Sequence, residues 1–358
     1  MPIVAGCLYP TNAELNELQR LMMPRFAEGR LGLQLAPSKE SDRNDIIFNT
    51  PDIFRGMQQW RGLDKNTTSV PINYNHWGTF CKVSPGYWGE HEKITEELLT
   101  IGASRHSLCA EPIDLFEVIT DLQSLLLERR YNRVEFNIWQ AFIYGNYEAL
   151  NQQGQVVQEA TFNINKVAVK VPWSDPENST PLMDIRCMQL LQRGTSTSFG
   201  TCARGYLNQV TVNCLLRNRN TWDLGKHGIS ACCDPFTLNR VNEILSANAL
   251  PMLEVYEGGF YDDAGGFHTF IPDGRMVIVG CRPGNVPIAR YWLTRNAIDC
   301  VGSTGIGSGF VQRIMDNCGR EIPRNILLYD THNGGVAIHY PQAVISVDTG
   351  CDYESVCG

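Results

Sequence analysis

No run of about 18 apolar residues occurs in the chain, so no membrane-spanning helix is expected. A basic excess is missing too: 30 Lys and Arg stand against 38 Asp and Glu, a formal net charge of -8. Dedicated nucleic-acid binders usually carry a basic face, so the balance argues against that class, although net charge says nothing of how charge is distributed. No CxxC, GxSxG or GxxxxGK[ST] is present. None of the seven histidines has an i,i+4 partner, and His227 near Cys232 and Cys233 lacks paired ligand spacing. Asp262 and Asp263 lack the further oxygen ligands of a calcium loop. No catalytic, cofactor-binding or metal-ligating residue is therefore assigned, and no cofactor is expected. Val4-Ala5-Gly6-Cys7 resembles the end of a lipoprotein signal, but no basic segment or long apolar run precedes it. There is no internal repeat and no low-complexity linker.

Cysteine, by contrast, is abundant, with 13 in 358 residues. The odd count without paired spacing reads as buried free thiols acting as small hydrophobes. Intersubunit disulfides, formed outside a reducing cell, are the second reading. A hydrophobic fraction of 43% and a charged fraction of 19% describe an ordinary folded chain, long enough for one large core or two domains.

Residues 1–45 read as an arm with one helix. Thr11 and Glu14 make a capping box, Leu15, Leu18, Leu21 and Met22 share a face, and Pro24 is expected to break it. Residues 29–44 read as extended, and the arm needs another surface to bind. Residues 46–95 read as a long β-hairpin bearing Trp60, Trp77 and Trp88, with Lys65 in its loop; a short helix over residues 94–101 follows. Aromatics on such a loop point to burial against another chain.

The strongest element is a helix over residues 113–145, capped by Asp114, with Leu115, Ile119, Leu122 and Leu126 on one face. About 30 residues at ~1.5 Å each give a rod of roughly 45 Å. Arg129, Arg130 and Arg133, with Glu128 and Glu135, read as its solvated face; phosphate contact by the arginines is the second reading, and the three arginines are candidate contacts to a neighbour. A hairpin over residues 144–171 follows, returning through Val167, Val169 and Val171. Pro181 opens a helix stopped by Gly194. Residues 206–217 and 235–246 read as helices, the second capped by Asp234. Pro272-Asp273-Gly274 is a tight turn before a buried strand at residues 276–279. The Gly-rich run at residues 302–309 precedes a helix to Asn317, and residues 326–330 and 336–347 read as strands. His332 and His339 read as a polar surface pair.

One enzymatic reading stands as the alternative. Gly305-Ile306-Gly307-Ser308-Gly309, then a helix, then Asp330 at a strand end, resembles a degenerate dinucleotide site of a cytosolic nucleotide-dependent enzyme. Its spacing is GxGxG, and only 28 residues follow Asp330.

The order of elements resembles the major capsid protein of lambda-like tailed bacteriophages, the capsid E family with the Hong Kong 97 fold. The residues that carry the likeness are Pro85-Gly86-Tyr87-Trp88 before Ile94-Thr95-Glu96-Glu97-Leu98, then Arg133-Val134-Glu135 with Gly145 ending the helix. Residues 169–173 before Pro181-Leu182-Met183-Asp184-Ile185, and Ile271-Pro272-Asp273-Gly274-Arg275-Met276, continue it. The likeness spans most of residues 85–347.

The resemblance implies an α+β chain with an N-terminal arm (1–45), an extended loop (46–95) and a peripheral domain with a spine helix (96–180). An axial domain (181–330) and C-terminal strands returning to the peripheral domain (331–358) complete it. It implies a non-enzymatic shell subunit forming hexamers and pentamers, assembled in a bacterial cytoplasm and residing in the virion. Implied partners are a separate scaffold, a decoration or cement protein, a portal and packaged double-stranded DNA. Some relatives crosslink a loop lysine to an asparagine; that chemistry is not carried over to Lys65.

Overall fold

The computed structural model describes residues 3–4, 7–8, 11–41, 43, 45–50, 79–84, 86–95, 97, 113–114, 116–150, 156–226, 237–282, 284, 286–294, 310–317 and 325–352. Strands β1 (Ile3–Val4) and β2 (Cys7–Leu8) lead into helix α1 (Asn12–Glu28). The capping box is present: Thr11 Oγ1 accepts Glu14 N–H at 3.2 Å, and Glu14 accepts Thr11 N–H at 2.7 Å. The helix runs through Pro24, against expectation. Its C-terminal half is held by packing, with Phe26 stacked 6.4 Å from Tyr131. Residues 29–44 are not wholly extended, because a short helix α2 (Leu31–Leu35) precedes β3 (Ser38–Ser41).

β4 (Ile46–Thr50) and β5 (Thr79–Val83) pair antiparallel as the base of the expected long hairpin. Trp60, Lys65 and Trp77 lie outside the described residues. β6 (Gly86–Thr95) is a ten-residue strand that includes Ile94 and Thr95, so the helix expected there does not begin at 94. Residues 98–101 lie outside the described part.

β7 (Ile113–Asp114) pairs parallel with β2. The long helix α3 (Phe116–Tyr144) has 29 residues, about 44 Å at ~1.5 Å per residue. Ile119, Leu126, Leu127, Val134, Ile138, Trp139 and Phe142 are all nearly inaccessible. The arm finds its surface within the same chain: Leu15, Ile94, Ile119 and Ile326 form one buried cluster.

β8 (Asn146–Leu150) and β9 (Val156–Thr161) make the hairpin after Gly145. The returning strand does not run on to Val171. It breaks after Thr161, and β10 (Asn165–Ala168) joins a different sheet. Helix α4 (Pro181–Leu191) begins at its proline as expected. The expected helix over 206–217 is instead β11 (Arg204–Leu207) followed by α5 (Gln209–Arg217). Asn208 caps α5 by accepting Thr211 N–H at 3.0 Å. Two further helices are α6 (Arg219–Lys226) and α7 (Leu238–Ala247). Asp234 lies outside the described residues, and α7 starts three residues after Pro235.

The turn-rich stretch forms β12 (Met252–Val255), the hairpin β13 (Gly259–Tyr261) with β14 (Phe267–Thr269), and β15 (Arg275–Val279). Gly274 takes φ +69°, the positive value that the Pro-Asp-Gly turn requires. After β16 (Ala289–Thr294), the expected helix up to Asn317 is a strand, β17 (Phe310–Asp316). β18 (Asn325–Ile338) runs for 14 residues, and β19 (Val344–Asp348) follows a short turn of 3-10 helix.

Two five-stranded sheets organise the chain. One has the order β10-β19-β15-β11-β12 and shares an apolar cluster with α4, α5 and α7. The other has the order β17-β18-β16-β3, with β6 also on β18, and lies against α3. The pairing therefore does not divide at residue 330. Strands from 289 to 338 belong with the long helix, and β19 returns to the sheet of α4, α5 and α7. Within β18 the polar Thr331 and His332 are paired on both sides and Asn333 with Tyr87, and the strand continues through them.

Candidate assembly surfaces

The long helix presents its charges in two directions. Arg130 and Glu135 point inward, which corrects the reading of both as solvated. Arg130 Nε donates to Asp330 Oδ2 at 2.8 Å, and its terminal nitrogen also contacts Asp330 Oδ1. Both side chains are almost fully buried. Burial pulls the Arg130 guanidinium down to about 9, still cationic at neutral pH, with Tyr131 and Tyr291 opposing the shift. Arg130 is thus committed to its own subunit and is withdrawn as a candidate contact.

Glu135 is fully buried and accepts four hydrogen bonds. Its Oε1 accepts Gly32 N–H at 2.7 Å, Trp139 Nε1 at 2.9 Å and Tyr256 O–H at 2.8 Å; its Oε2 accepts Leu33 N–H at 3.2 Å. One carboxylate caps α2, satisfies a buried indole and fixes the tyrosine that follows β12. Burial, with Glu135 beside it, pushes the Tyr256 hydroxyl pKa up. A Cβ on residue 32 would sit 2.8 Å from Glu135 Oε2, so only glycine allows this approach.

Arg129 and Arg133 point outward and meet β6. Arg129 grips Glu90 with two nitrogens, at 2.7 and 3.0 Å, and reaches Asp263 in the β13–β14 turn at 3.2 Å. Glu90 is the main cause raising the Arg129 pKa. The Arg133 guanidinium lies 5.4 Å from the Trp88 ring centre and 5.6 Å from that of Phe136. Trp88 is half-buried and donates to Gly334 O at 3.4 Å. So Trp88, Arg129 and Arg133 come together on one outer face.

Sequence reasoning did not pair Arg129 with Glu90 and Asp263, Arg130 with Asp330, or Glu135 with its backbone, indole and phenol donors. Their separations in sequence reach 200 residues, and no local signal marks them. Among the described residues, β6 pairs with β18 over its whole length.

A second surface is the groove of about 540 Å³ between α4, α6 and α7, lined by Pro181, Met183, Arg186, Asn220, Ile244 and Asn248. Leu190 and Leu191 on α4 are also exposed, at 50% and 63%. Apolar side chains left open on a folded subunit mark contact surfaces.

The elements of the dinucleotide-site alternative are not found among the described residues. No cluster of three or more potential metal ligands occurs there. Asp330, the expected ribose acid, is buried against Arg130, and the helix expected after the Gly-rich run is a strand. The Gly-rich run itself, His227, Cys232 and Cys233 lie outside the described residues. His332 and His339 are not a surface pair. His332 is buried beside Tyr291 at 3.2 Å, while His339 accepts from Trp292 Nε1 at 3.3 Å. The cysteines are not all free either, since Cys202 and Cys281 are bonded within the chain.

No protein-family model matches the chain, and no curated protein matches it in sequence. Solved structures do match. A prophage protein of E. coli CFT073, assigned as its capsid protein, is 15% identical and superposes with a TM-score of 0.58. The match covers 95% of this chain and 99% of that one. A phage-related protein of Bordetella bronchiseptica RB50 is 11% identical, with a TM-score of 0.54 over 92% of this chain and 97% of its own. No described helix is long and apolar enough to cross a membrane. The arm, long helix and two sheets thus have, over nearly their whole length, the α+β Hong Kong 97-type fold of phage capsid proteins.

Proposed function

We propose that the chain is the major capsid protein of a tailed double-stranded DNA bacteriophage, joining copies of itself as hexamers and pentamers into an icosahedral head. The observation that carries this reading is the end-to-end correspondence with the assigned prophage capsid protein, which leaves only 1% of that chain unmatched. The surfaces agree with it. An arm is clipped to a long helix, and apolar groups are exposed on α4, as a subunit with several neighbours requires.

In this reading the arm is residues 1–45 and the extended loop is residues 46–95, with Trp60, Lys65 and Trp77 reaching neighbours. The sheet on α3 is the peripheral unit, and the sheet of α4, α5 and α7 is the axial unit. The role is structural, not catalytic. A separate scaffold, a portal and a decoration protein are the proposed partners. The packaged DNA is enclosed without sequence specificity, as an acidic chain suits. The particle forms in the bacterial cytoplasm and the protein ends in the virion. Light scattering on the chain co-expressed with a scaffold tests the reading: particles of several megadaltons support it, and a monomer or dimer under every condition overturns it.

A further inference from the structure

Helix α5 and the segment after β19 meet at two buried thiols. Cys214, within α5, is 4% exposed, and Cys351 is 2% exposed. Both belong to one apolar cluster with Val212, Leu215, Met276 and Val347. Hydrogen bonds fix their approach. Thr211, one turn before Cys214, accepts Gly274 N–H on its hydroxyl at 3.1 Å. The Gly274 carbonyl in turn accepts Thr349 N–H at 2.8 Å and the Thr349 hydroxyl at 2.9 Å. Gly274 lies so close to the chain end that a Cβ there would collide with the Cys351 carbonyl. Residues 349–351 are therefore held on the α5 face that carries Thr211 and Cys214. The Cys351 and Cys214 thiols hydrogen-bond to each other. That contact, with burial, pushes the Cys351 pKa up and keeps it a thiol at neutral pH, which slows its chemistry.

We propose that Cys214 and Cys351 are an oxidisable dithiol site, closed to a disulfide by a small-molecule disulfide once the protein leaves a reducing compartment. The Cys214 thiolate attacks one sulfur of the small disulfide, forming a mixed disulfide and releasing one small thiolate, while Cys351 stays a thiol. Cys351 then gives up its proton and attacks the Cys214 sulfur, forming the internal bond and releasing the second small thiolate. The two protons lost by the cysteines go to the two leaving thiolates. The protein loses two electrons and the small disulfide gains them. The new bond joins the chain end to α5 and removes entropy from the unfolded chain. Cys202–Cys281 is a separate bond, and Cys187 is an exposed free thiol that serves as an internal control. The site belongs to the single subunit and stands whether or not the chain builds shells.

The test uses the full chain, reduced, freed of reductant and incubated with oxidised glutathione. Remaining thiols are blocked with N-ethylmaleimide in denaturant, and the non-reduced digest is mapped by mass spectrometry. The expected product is a peptide pair joined through Cys214 and Cys351, lighter by two hydrogens and separated by reductant. The melting temperature should rise on oxidation, and the rise should persist in Cys202→Ser/Cys281→Ser. Recovery of Cys214 and Cys351 as maleimide adducts, as glutathione adducts alone, or joined to other cysteines overturns the proposal. In Cys351→Ser the rise should vanish; if that variant does not fold, the peptide map of the unaltered chain decides.

Discussion

Glu135 Oε1 accepts the Gly32 N–H at 2.7 Å, tying the long helix to a helix start 103 residues earlier in sequence. Gly32→Ala places a methyl against that carboxylate, and Glu135→Ala strands the buried donors of Gly32, Trp139 and Tyr256. The first should cost about 1–3 kcal/mol by overpacking, the second about 3 kcal/mol or more. Urea unfolding reads both, and protease should release the arm earlier. An unchanged midpoint for either variant would show that the carboxylate does not hold the arm.

Arg130 and Asp330 form a buried pair between α3 and β18. Removing one partner leaves the other charge uncompensated, so Asp330→Leu or Arg130→Met alone should cost about 3–5 kcal/mol. The double variant should recover much of that loss. A double variant as unstable as the sum of the singles would mean that the two residues act independently.

Acid should weaken the fold from the histidine range downward. Burial lowers the His332 pKa well below its usual value and takes His339 to about 4. A histidine whose folded pKa is depressed stays neutral in the fold while the unfolded chain takes up a proton below pH ~6.5. Stability is therefore intact above that value and is lost as pH falls toward 4, by about 1.4 kcal/mol per pH unit for each group. Denaturant midpoints measured across this window check the sign. His332→Phe should flatten the slope, and an unaltered slope would remove His332 as its source.

The segment between β4 and β5 should be dispensable for folding and needed for assembly. Replacing residues 51–78 by a short Gly-Ser link keeps the paired base from Ile46–Thr50 to Thr79–Val83. A soluble, folded subunit that makes no stable shells is expected. An unfolded subunit would place Trp60 and Trp77 in the core instead.

Much of this architecture was readable where the signal is local. Leu122 and Leu126 on a helical stripe, Pro181 at a helix start and the Pro272-Asp273-Gly274 turn all act within a few residues. The missed features rest on distant partners. Arg130 looks solvated until Asp330 closes over it, and Glu135 until the arm's backbone arrives. Phe310–Asp316 reads equally as a helix or a strand by itself, and pairing with β18 decides. Tyr206 and Leu207 were drawn into the following helix because the Asn208 cap, which separates them from it, went unrecognised. Asp330 shows the hazard of a motif without its context: an acid at the right spacing proved to be half of an ion pair.

The most direct test of shell building is electron microscopy of the chain co-expressed with its scaffold. Closed icosahedral particles, with pentamers at the vertices, hexamers between them and the segment between β4 and β5 lying over neighbouring subunits, are the predicted result. Dispersed compact monomers or dimers in every assembly condition, with no particles on the grid, would contradict it.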